Sequence, residues 1–120
     1  MNREASSWRL LARYGHFGIN VLAASQQAIA DRFAGRGGST GSERYRNAHW
    51  VRLETGAPIL ADALVSIDCE LEELIDRHSH SIVLGRVKAV RVSETSDALL
   101  YWRGGYGVFQ PGVAPLDRLK

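Results

Sequence analysis

Leu64-Val-Ser-Ile-Asp-Cys-Glu-Leu71 is the stretch that decides the fold, because apolar and polar residues alternate along it from Val65 onward. Side chains two residues apart lie on the same face of a β-strand. The apolar face would carry Val65, Ile67, Cys69 and Leu71, and the polar face Ser66, Asp68, Glu70 and Glu72. This pattern predicts a half-buried antiparallel strand whose polar side faces water.

Further strands are predicted after this segment. Residues 81–92 are rich in β-branched side chains, and their first half is apolar on both faces, which is typical of a strand that crosses a barrel interior. Residues 99–102 and 106–109 are typical of a hairpin that turns at Arg103-Gly-Gly105. Residues 110–120, with two prolines, predict a loose C-terminal tail.

The first third of the chain predicts one strand between two helices. Ser6-Ser7 can cap a short helix that Gly15 would end in a left-handed conformation. Phe17, Ile19 and Val21 then alternate with their neighbours as in a strand. Ser25 is a good N-cap for an amphipathic helix, which carries Ala28, Ile29, Ala30 and Phe33 and ends at Gly35.

The segment between this helix and the central strand is predicted to be mostly loop. Residues 35–42, Gly-Arg-Gly-Gly-Ser-Thr-Gly-Ser, indicate a flexible surface loop and lack the Gly-Lys-Ser/Thr of a phosphate-binding loop. Trp50 begins a brief strand, and Gly56-Ala-Pro58 predicts a turn. Several short strands, few helices and glycine turns favour one mainly β domain with short helices, a small antiparallel barrel.

Composition narrows the possible functions. The net charge of +2 is small and the basic residues are scattered singly, which argues against nucleic-acid binding. A single cysteine, Cys69, excludes an internal disulfide and favours a reducing compartment. No segment is apolar and long enough to cross a bilayer, so we expect a cytoplasmic protein with no membrane partner.

No side-chain group stands out as catalytic. His78 and His80 would share a strand face, but zinc needs more ligands than two imidazoles. Cys69 lies on the predicted apolar face, where a thiol is inert. Trp50, Trp102 and Tyr106 could stack on a ring, although such aromatics usually belong to the core. We therefore predict neither a catalytic side chain nor a metal site.

The junction after the first strand is the best candidate for a cofactor site. Gly18, Asn20 and Ser25 lie where a strand gives way to a helix, so backbone N–H groups there can be exposed. A helix that begins near Ser25 would also present a positive end to an anion.

Five motifs in order carry a family resemblance over about residues 2–109. They are Phe17-Gly-Ile-Asn-Val-Leu22 with Gln26 and Ala30-Asp-Arg-Phe33-Ala; Trp50 with Gly56-Ala-Pro58; Asp68-Cys-Glu70; His78-Ser-His80-Ser-Ile82-Val-Leu-Gly85-Arg-Val87; and Leu99-Leu-Tyr101-Trp-Arg-Gly104-Gly-Tyr106. Together they resemble the short-chain flavin reductases of the FMN-binding split-barrel type. In that family the fourth motif usually begins Gly-Asp-His, whereas this chain has His78-Ser79 before His80.

The resemblance implies a split β-barrel that transfers hydride from NADH or NADPH to FMN or FAD. Such transfer needs no side-chain acid or base, because the cofactors carry the chemistry and the protein aligns their rings. The resemblance places Asn20, Val21, Leu22, Ser25 and Gln26 at the flavin. It places His80, Gly85 and Tyr106 on the nicotinamide side.

The chain also departs from the family pattern. The family begins with two or more strands that carry a Thr-Ala-Ser-Ser-like flavin-phosphate segment, whereas Asn2-Arg-Glu-Ala-Ser-Ser7 resembles the end of a later strand. We therefore expect one partial flavin reductase-like domain over residues 1–120, a barrel truncated at its N-terminus. Missing strands would leave unpaired edges, which the homodimer that the resemblance implies could partly cover.

The leading hypothesis is an NAD(P)H-dependent flavin reductase that supplies reduced FMN or FAD to a partner monooxygenase. One alternative is a non-catalytic flavin-binding or dimerisation remnant of the same fold. Another is a small barrel without a ligand.

Overall fold

The computed structural model describes residues 1–94 and 97–110 and is mainly β with short helices. The helices are α1 (Ser6–Tyr14) and α2 (Gln27–Phe33), with 3₁₀ turns at Ala24–Gln26, Arg36–Gly38 and Gly41–Tyr45. The strands are β1 (His16–Val21), β2 (Trp50–Val51), β3 (Ile59–Leu60), β4 (Val65–Arg77), β5 (His80–Val92), β6 (Ala98–Trp102) and β7 (Gly105–Phe109).

The described strands form three sheets. β1, β4 and β5 form a three-stranded sheet in that order, with β4 in the centre. β2 and β3 pair antiparallel, with Trp50 opposite Leu60. β6 and β7 pair antiparallel, with Tyr101 opposite Tyr106. The strands predicted at both ends of the chain and in its centre are therefore present, and the final hairpin turns at Arg103 and Gly104 as expected.

The chain divides into two compact units. The first comprises Met1–Asn20, His49–Ala61 and Ser66–Arg91. The second comprises Val21–Ala48, Asp62–Val65 and the described residues from Val92 on. Leu11, Ile59, Leu60 and Cys69 are buried in the first unit, and Ala23 and Ala63 in the second.

Helix α1 ends as predicted but begins differently. Gly15 adopts a left-handed conformation (φ 71°) and its N–H donates to the carbonyl of Leu11. The N-cap is Ala5, and no side chain caps the helix, so the prediction that Ser6-Ser7 would do so was wrong. Two contacts attach the helix to the rest of the first unit. The side chain of Leu11 is buried, and the indole N–H of Trp8 donates to Ser81 Oγ (3.1 Å).

The polar face of β4 is not uniformly solvated. Ser66 and Asp68 are 2% and 0% exposed, which contradicts the prediction that both would face water. Each has hydrogen-bonding partners far away in sequence: Ser66 Oγ donates to Asn20, and Asp68 accepts from Thr55. Buried polar groups are stable when such partners are present.

The prediction that the first half of β5 crosses a barrel interior was also wrong. The strand does not cross an apolar interior there, because Ile82 is 55% and Leu84 39% exposed. Among the named strands β5 pairs only with β4, and an antiparallel bridge between Asn2 and His80 covers the start of its outer edge. The valines farther along the strand, Val87 and Val90, are also exposed.

The second unit contains the helical turns and the final hairpin. Helix α2 has Gln26 as its N-cap, and Ser25 lies inside the preceding 3₁₀ turn, so the predicted Ser25 cap was wrong. Gly35 follows α2 in a left-handed conformation (φ 82°), and the glycine-rich segment then contains the 3₁₀ turn Arg36–Gly38. Flexibility of residues 35–42 stays a prediction. Beyond Gln110, the predicted tail lies outside the described residues.

Candidate functional site at the β1–α2 junction

The side chain of Asn20, near the end of β1, forms hydrogen bonds to two other segments of the first unit. Its Oδ1 atom accepts hydrogen bonds from the backbone N–H of Leu60 (3.0 Å) and from Ser66 Oγ (2.9 Å). Ser66 Oγ also lies 3.3 Å from the carbonyl oxygen of Leu60. The oxygen of Asn20 is therefore used within the protein, and a contact between Asn20 and a ligand would have to use its amide nitrogen.

Gln26 is also bonded internally. It is 8% exposed, its Oε1 accepts from the N–H of Ala23 (2.9 Å), and its Nε2 donates to the carbonyl of Asp62 (3.0 Å). The side chain thus satisfies a backbone donor at the entry to α2, the task that the sequence had suggested for Ser25. We assign Gln26 a structural role in shaping the junction.

Part of the junction backbone is left free to bind a ligand. The N–H groups of Ala23 and Ala24 are satisfied by Gln26 Oε1 and the carbonyl of Asp97. Among the described residues, the N–H groups of Leu22 and Ser25 have no hydrogen-bond acceptor. Val21 is 40% exposed and Ser25 is exposed. The junction therefore presents two unpaired donors beside accessible side chains, as a polar ligand edge requires.

Arg32, in the last turn of α2, supplies an unpaired cationic donor. Its Nη1 atom is buried and has no hydrogen-bond partner in the described part of the chain. A buried guanidinium nitrogen without an acceptor is costly, and a phosphate or carboxylate is its natural partner. This orphaned donor, with the free N–H groups of Leu22 and Ser25 in the same unit, fits the phosphate-bearing flavin that the sequence predicted.

Tyr106, predicted on the nicotinamide side, belongs to an aromatic–cationic cluster in the second unit, which we call the Arg36 clamp: Asp31, Arg36, Tyr101 and Tyr106. The guanidinium carbon of Arg36 lies 5.5 Å from the ring centroid of Tyr101 and 5.4 Å from that of Tyr106. Arg36 also donates to Tyr101 Oη (3.1 Å) and Asp31 Oδ1 (3.0 Å). The clamp attaches the glycine-rich segment to the final hairpin.

The surroundings of Tyr106 in the clamp raise the pKa of its hydroxyl. Desolvation raises the pKa of Tyr106, and the hydrogen bond to Asp31 and the negative charge of Asp31 raise it further. The 3₁₀ turn that contains Ser25 packs against β6 and β7. The structure therefore brings the predicted flavin-side turn next to the hairpin that carries Tyr106, within one unit.

Gly85 has a packing reason for its missing side chain. A Cβ atom at this position would lie 2.4 Å from Cζ of Phe17 and 3.2 Å from Cβ of Cys69. The Phe17 ring thus occupies the space that any larger residue would need. The same unit shows a second close approach, since a Cβ on Gly18 would lie 2.8 Å from the carbonyl oxygen of Pro58.

His80 is exposed at the start of β5, and its Nδ1 lies 2.8 Å from Ser79 Oγ. His78 lies in the preceding turn with a positive φ of 53°, so the prediction that both imidazoles share a strand face was wrong.

Within the described residues, no group of three histidine, cysteine or acidic side chains could hold a metal ion. Burial, and then the Asp68 charge, raise the pKa of the Cys69 thiol, which disfavours a nucleophilic thiolate.

The predicted site residues divide between the units. Asn20, His80 and Gly85 belong to the first, and Val21, Leu22, Ser25, Gln26 and Tyr106 to the second. Sequence analysis assigned no role to Arg32, in the Ala30-Asp-Arg-Phe33-Ala segment of the predicted helix, or to Arg36, in the glycine-rich loop. The one signal for Arg36 was its place in Gly35-Arg-Gly-Gly38, where a lone guanidinium could contact an aromatic ring.

Residues 1–110 match the family described as "Flavin reductase like domain". The chain is 36% identical over 108 residues to the FMN reductase (NADH) RutF of Agrobacterium fabrum, covering 90% of this chain and 61% of that protein. It is 34% identical to the flavin-dependent monooxygenase reductase subunit HsaB of Rhodococcus jostii, covering 91% and 54%. The chain thus spans about three-fifths of the length of the curated relatives it matches.

Solved structures agree with this match. BorF, the flavin reductase component of a bacterial two-component tryptophan halogenase, superimposes with a TM-score of 0.82 at 31% identity, covering 93% of this chain and 71% of BorF. The fold class is therefore that of the flavin reductase split barrel. No helix among the described residues is long and apolar enough to cross a membrane.

Proposed function

This chain belongs to the flavin reductase-like family, and we propose that it carries out NAD(P)H-dependent reduction of FMN or FAD. The observation that carries the proposal is the family match over residues 1–110, which includes the β1–α2 junction with its unpaired donors. The FMN reductase (NADH) of Agrobacterium fabrum supports FMN and NADH as one substrate pair.

A bound flavin would supply the hydride-accepting chemistry, with reduced nicotinamide as the hydride donor and solvent as the source of the proton. The chain contributes binding and orientation. The N–H groups of Leu22 and Ser25 would donate to the polar edge of the flavin ring, and Arg32 would pair with its phosphate. Val21 supplies apolar contact beside them. In this proposal no side chain has to move a proton, because the cofactors carry the chemistry.

His80 and Tyr106 are proposed for the nicotinamide side. His80 is exposed and offers one ring nitrogen to a ligand, since Ser79 engages the other. Tyr106 is partly exposed, and desolvation and then Asp31 raise the pKa of its hydroxyl. Gly85 contributes indirectly, because it allows Phe17 to pack beneath β5.

The test combines flavin binding with turnover. The protein should quench the fluorescence of added FMN or FAD and oxidise NADH or NADPH only when flavin is present. Arg32→Gln should weaken binding of FMN more than binding of riboflavin, which lacks the phosphate, while Arg52→Gln, an exposed arginine of the first unit, should change neither. Flavin binding without NADH oxidation would instead identify the non-catalytic remnant of the fold.

We also propose a partner monooxygenase and a homodimer. HsaB is the reductase subunit of a flavin-dependent monooxygenase and BorF the flavin reductase component of a two-component halogenase, which supports delivery of reduced flavin to a partner oxygenase. Ile82, Leu84, Val87 and Val90 are exposed on β5, and apolar edge strands are usually covered. Sedimentation equilibrium should give twice the chain mass, and Val87→Lys should shift the measured mass toward that of the monomer.

We also propose that the protein is cytoplasmic. The free thiol of Cys69 supports a reducing compartment.

A further inference from the structure

The turn between β4 and β5 fixes the backbone on both sides of His80. The N–H of Arg3 donates to the carbonyl of Ser79 (2.9 Å), and the Arg3 guanidinium donates to the carbonyl of His78. Ser81 is 2% exposed, and its Oγ donates to Asp76 Oδ1 (2.5 Å). With this backbone held, the freedom that remains at His80 is the orientation and tautomer of its imidazole.

Ser79 contacts the imidazole of His80 directly. Its Oγ lies 2.8 Å from His80 Nδ1, so the two groups share one proton along this contact. In a neutral histidine one ring nitrogen carries the proton and the other accepts, and the hydrogen bond at one nitrogen decides which. A serine hydroxyl can donate to Nδ1, whereas the aspartate of the usual family motif can only accept from it.

We propose that Ser79 is a positioning residue that donates to His80 Nδ1 and so keeps the imidazole proton on Nε2. His80 then presents an N–H donor to the ligand, and the matching acceptor on a nicotinamide nucleotide is an oxygen such as that of its carboxamide. This inference rests on the proposed function for the identity of the ligand. The tautomer itself is a property of the free protein.

The tautomer is measured first, without any cofactor. Long-range ¹⁵N–¹H NMR spectra distinguish protonated from unprotonated ring nitrogens, and His80→Gln identifies the His80 signals among those of the four histidines. We expect a proton on Nε2 in the wild type, a mixture of tautomers in Ser79→Ala and a proton on Nδ1 in Ser79→Asp. A wild-type proton on Nδ1, or identical His80 signals in Ser79→Ala, would overturn the proposal.

Kinetics then test the consequence for the ligand. Ser79→Ala should raise the KM for NADH about 2- to 10-fold, the range expected for one hydrogen bond, with little change in kcat or in flavin affinity. Ser79→Thr keeps the hydroxyl and should restore the wild-type KM. Ser42→Ala, at an exposed serine of the second unit, and His78→Asn, which tolerates the positive φ at residue 78, serve as controls.

The two hypotheses fail in different ways. A wild-type protein that oxidises no NADH with any flavin would refute the proposed function, and the NMR result would still decide the role of Ser79. A wild-type protein that turns over normally, but whose KM does not respond to Ser79→Ala, would refute the role of Ser79 and leave the proposed function standing.

Discussion

Asp68 and Thr55 form a hydrogen-bonded polar pair in the first unit. Asp68 Oδ1 accepts from Thr55 Oγ1 (2.5 Å), and Oδ2 accepts from the N–H groups of Thr55 (2.9 Å) and Glu54 (2.8 Å). Thr55 Oγ1 in turn accepts from the N–H of Ala57 (3.1 Å). A buried carboxylate on β4 thereby fixes the turn that carries the Gly-Ala-Pro motif.

Removal of this carboxylate should destabilise the protein. Asp68→Ala leaves three partly buried donors without this acceptor, and we expect a loss of about 3 kcal/mol in the free energy of unfolding. Urea denaturation followed by tryptophan fluorescence measures the loss. Asp62→Asn is the matched control, because Asp62 is exposed and we expect a change within about 0.5 kcal/mol. Equal stability of the two variants would show that the Asp68 network contributes nothing net.

The same pair predicts how stability depends on acid. Burial alone would raise the pKa of Asp68, but the hydrogen bonds from Thr55 and Glu54 outweigh it and hold the pKa below the ordinary value of 3.8. Since the folded-state pKa is depressed, the stabilisation is fully present above the unfolded-state pKa. It is lost as the pH falls below about 4 and through the lower folded-state value.

Denaturation from pH 7 to pH 2 tests this dependence. The wild type should lose more stability below pH 4 than Asp68→Asn, whose amide does not titrate. The difference between the two proteins should be constant above about pH 5, where the carboxylate is ionised in both the folded and unfolded states. A wild type and variant with parallel profiles down to pH 2 would contradict the assignment of the acid sensitivity to Asp68.

The sequence predicted correctly those elements that depend only on residues close together in the chain. Strand β1, the left-handed Gly15 and the final hairpin follow from alternation and from glycine, so the sequence sufficed for them. The burial of Ser66 and Asp68 depends on donors at Asn20 and Thr55, which no periodicity reveals. The same holds for β5, whose exposure depends on strand order rather than on its own residues.

The candidate site was predictable to a similar degree. The resemblance led to the β1–α2 junction, where the structure shows free N–H groups at Leu22 and Ser25. It could not show that Gln26 is bonded internally, or that Arg36 holds Tyr106, because those contacts join residues distant in sequence. The orphaned Arg32 nitrogen is likewise a property of packing, and a single arginine in a helix gives no sign of it.

The Arg36 clamp should protect the final hairpin from local opening. Arg36→Ala removes the guanidinium stacked on Tyr101 and Tyr106, and the amides of β6 and β7 should then exchange hydrogen faster. Exposed cation–π contacts are individually weak, so the increase should not exceed about tenfold. Arg52→Ala, at an exposed arginine of the first unit, should leave hairpin exchange unchanged. If Arg36→Ala has hairpin exchange rates like those of the wild type, the clamp does not hold the hairpin.

Gly85 and Phe17 should behave as a size-complementary pair. Gly85→Ala would place Cβ 2.4 Å from the Phe17 ring, so the ring must move, at a cost of about 1 to 3 kcal/mol in unfolding free energy. Gly107→Ala is the control, because a Cβ there meets nothing within 4 Å and its φ is not positive. Phe17→Leu should cost stability alone but make Gly85→Ala less harmful, and a double-mutant cycle measures this coupling. Strictly additive effects would show that the Phe17 ring is not what requires glycine at position 85.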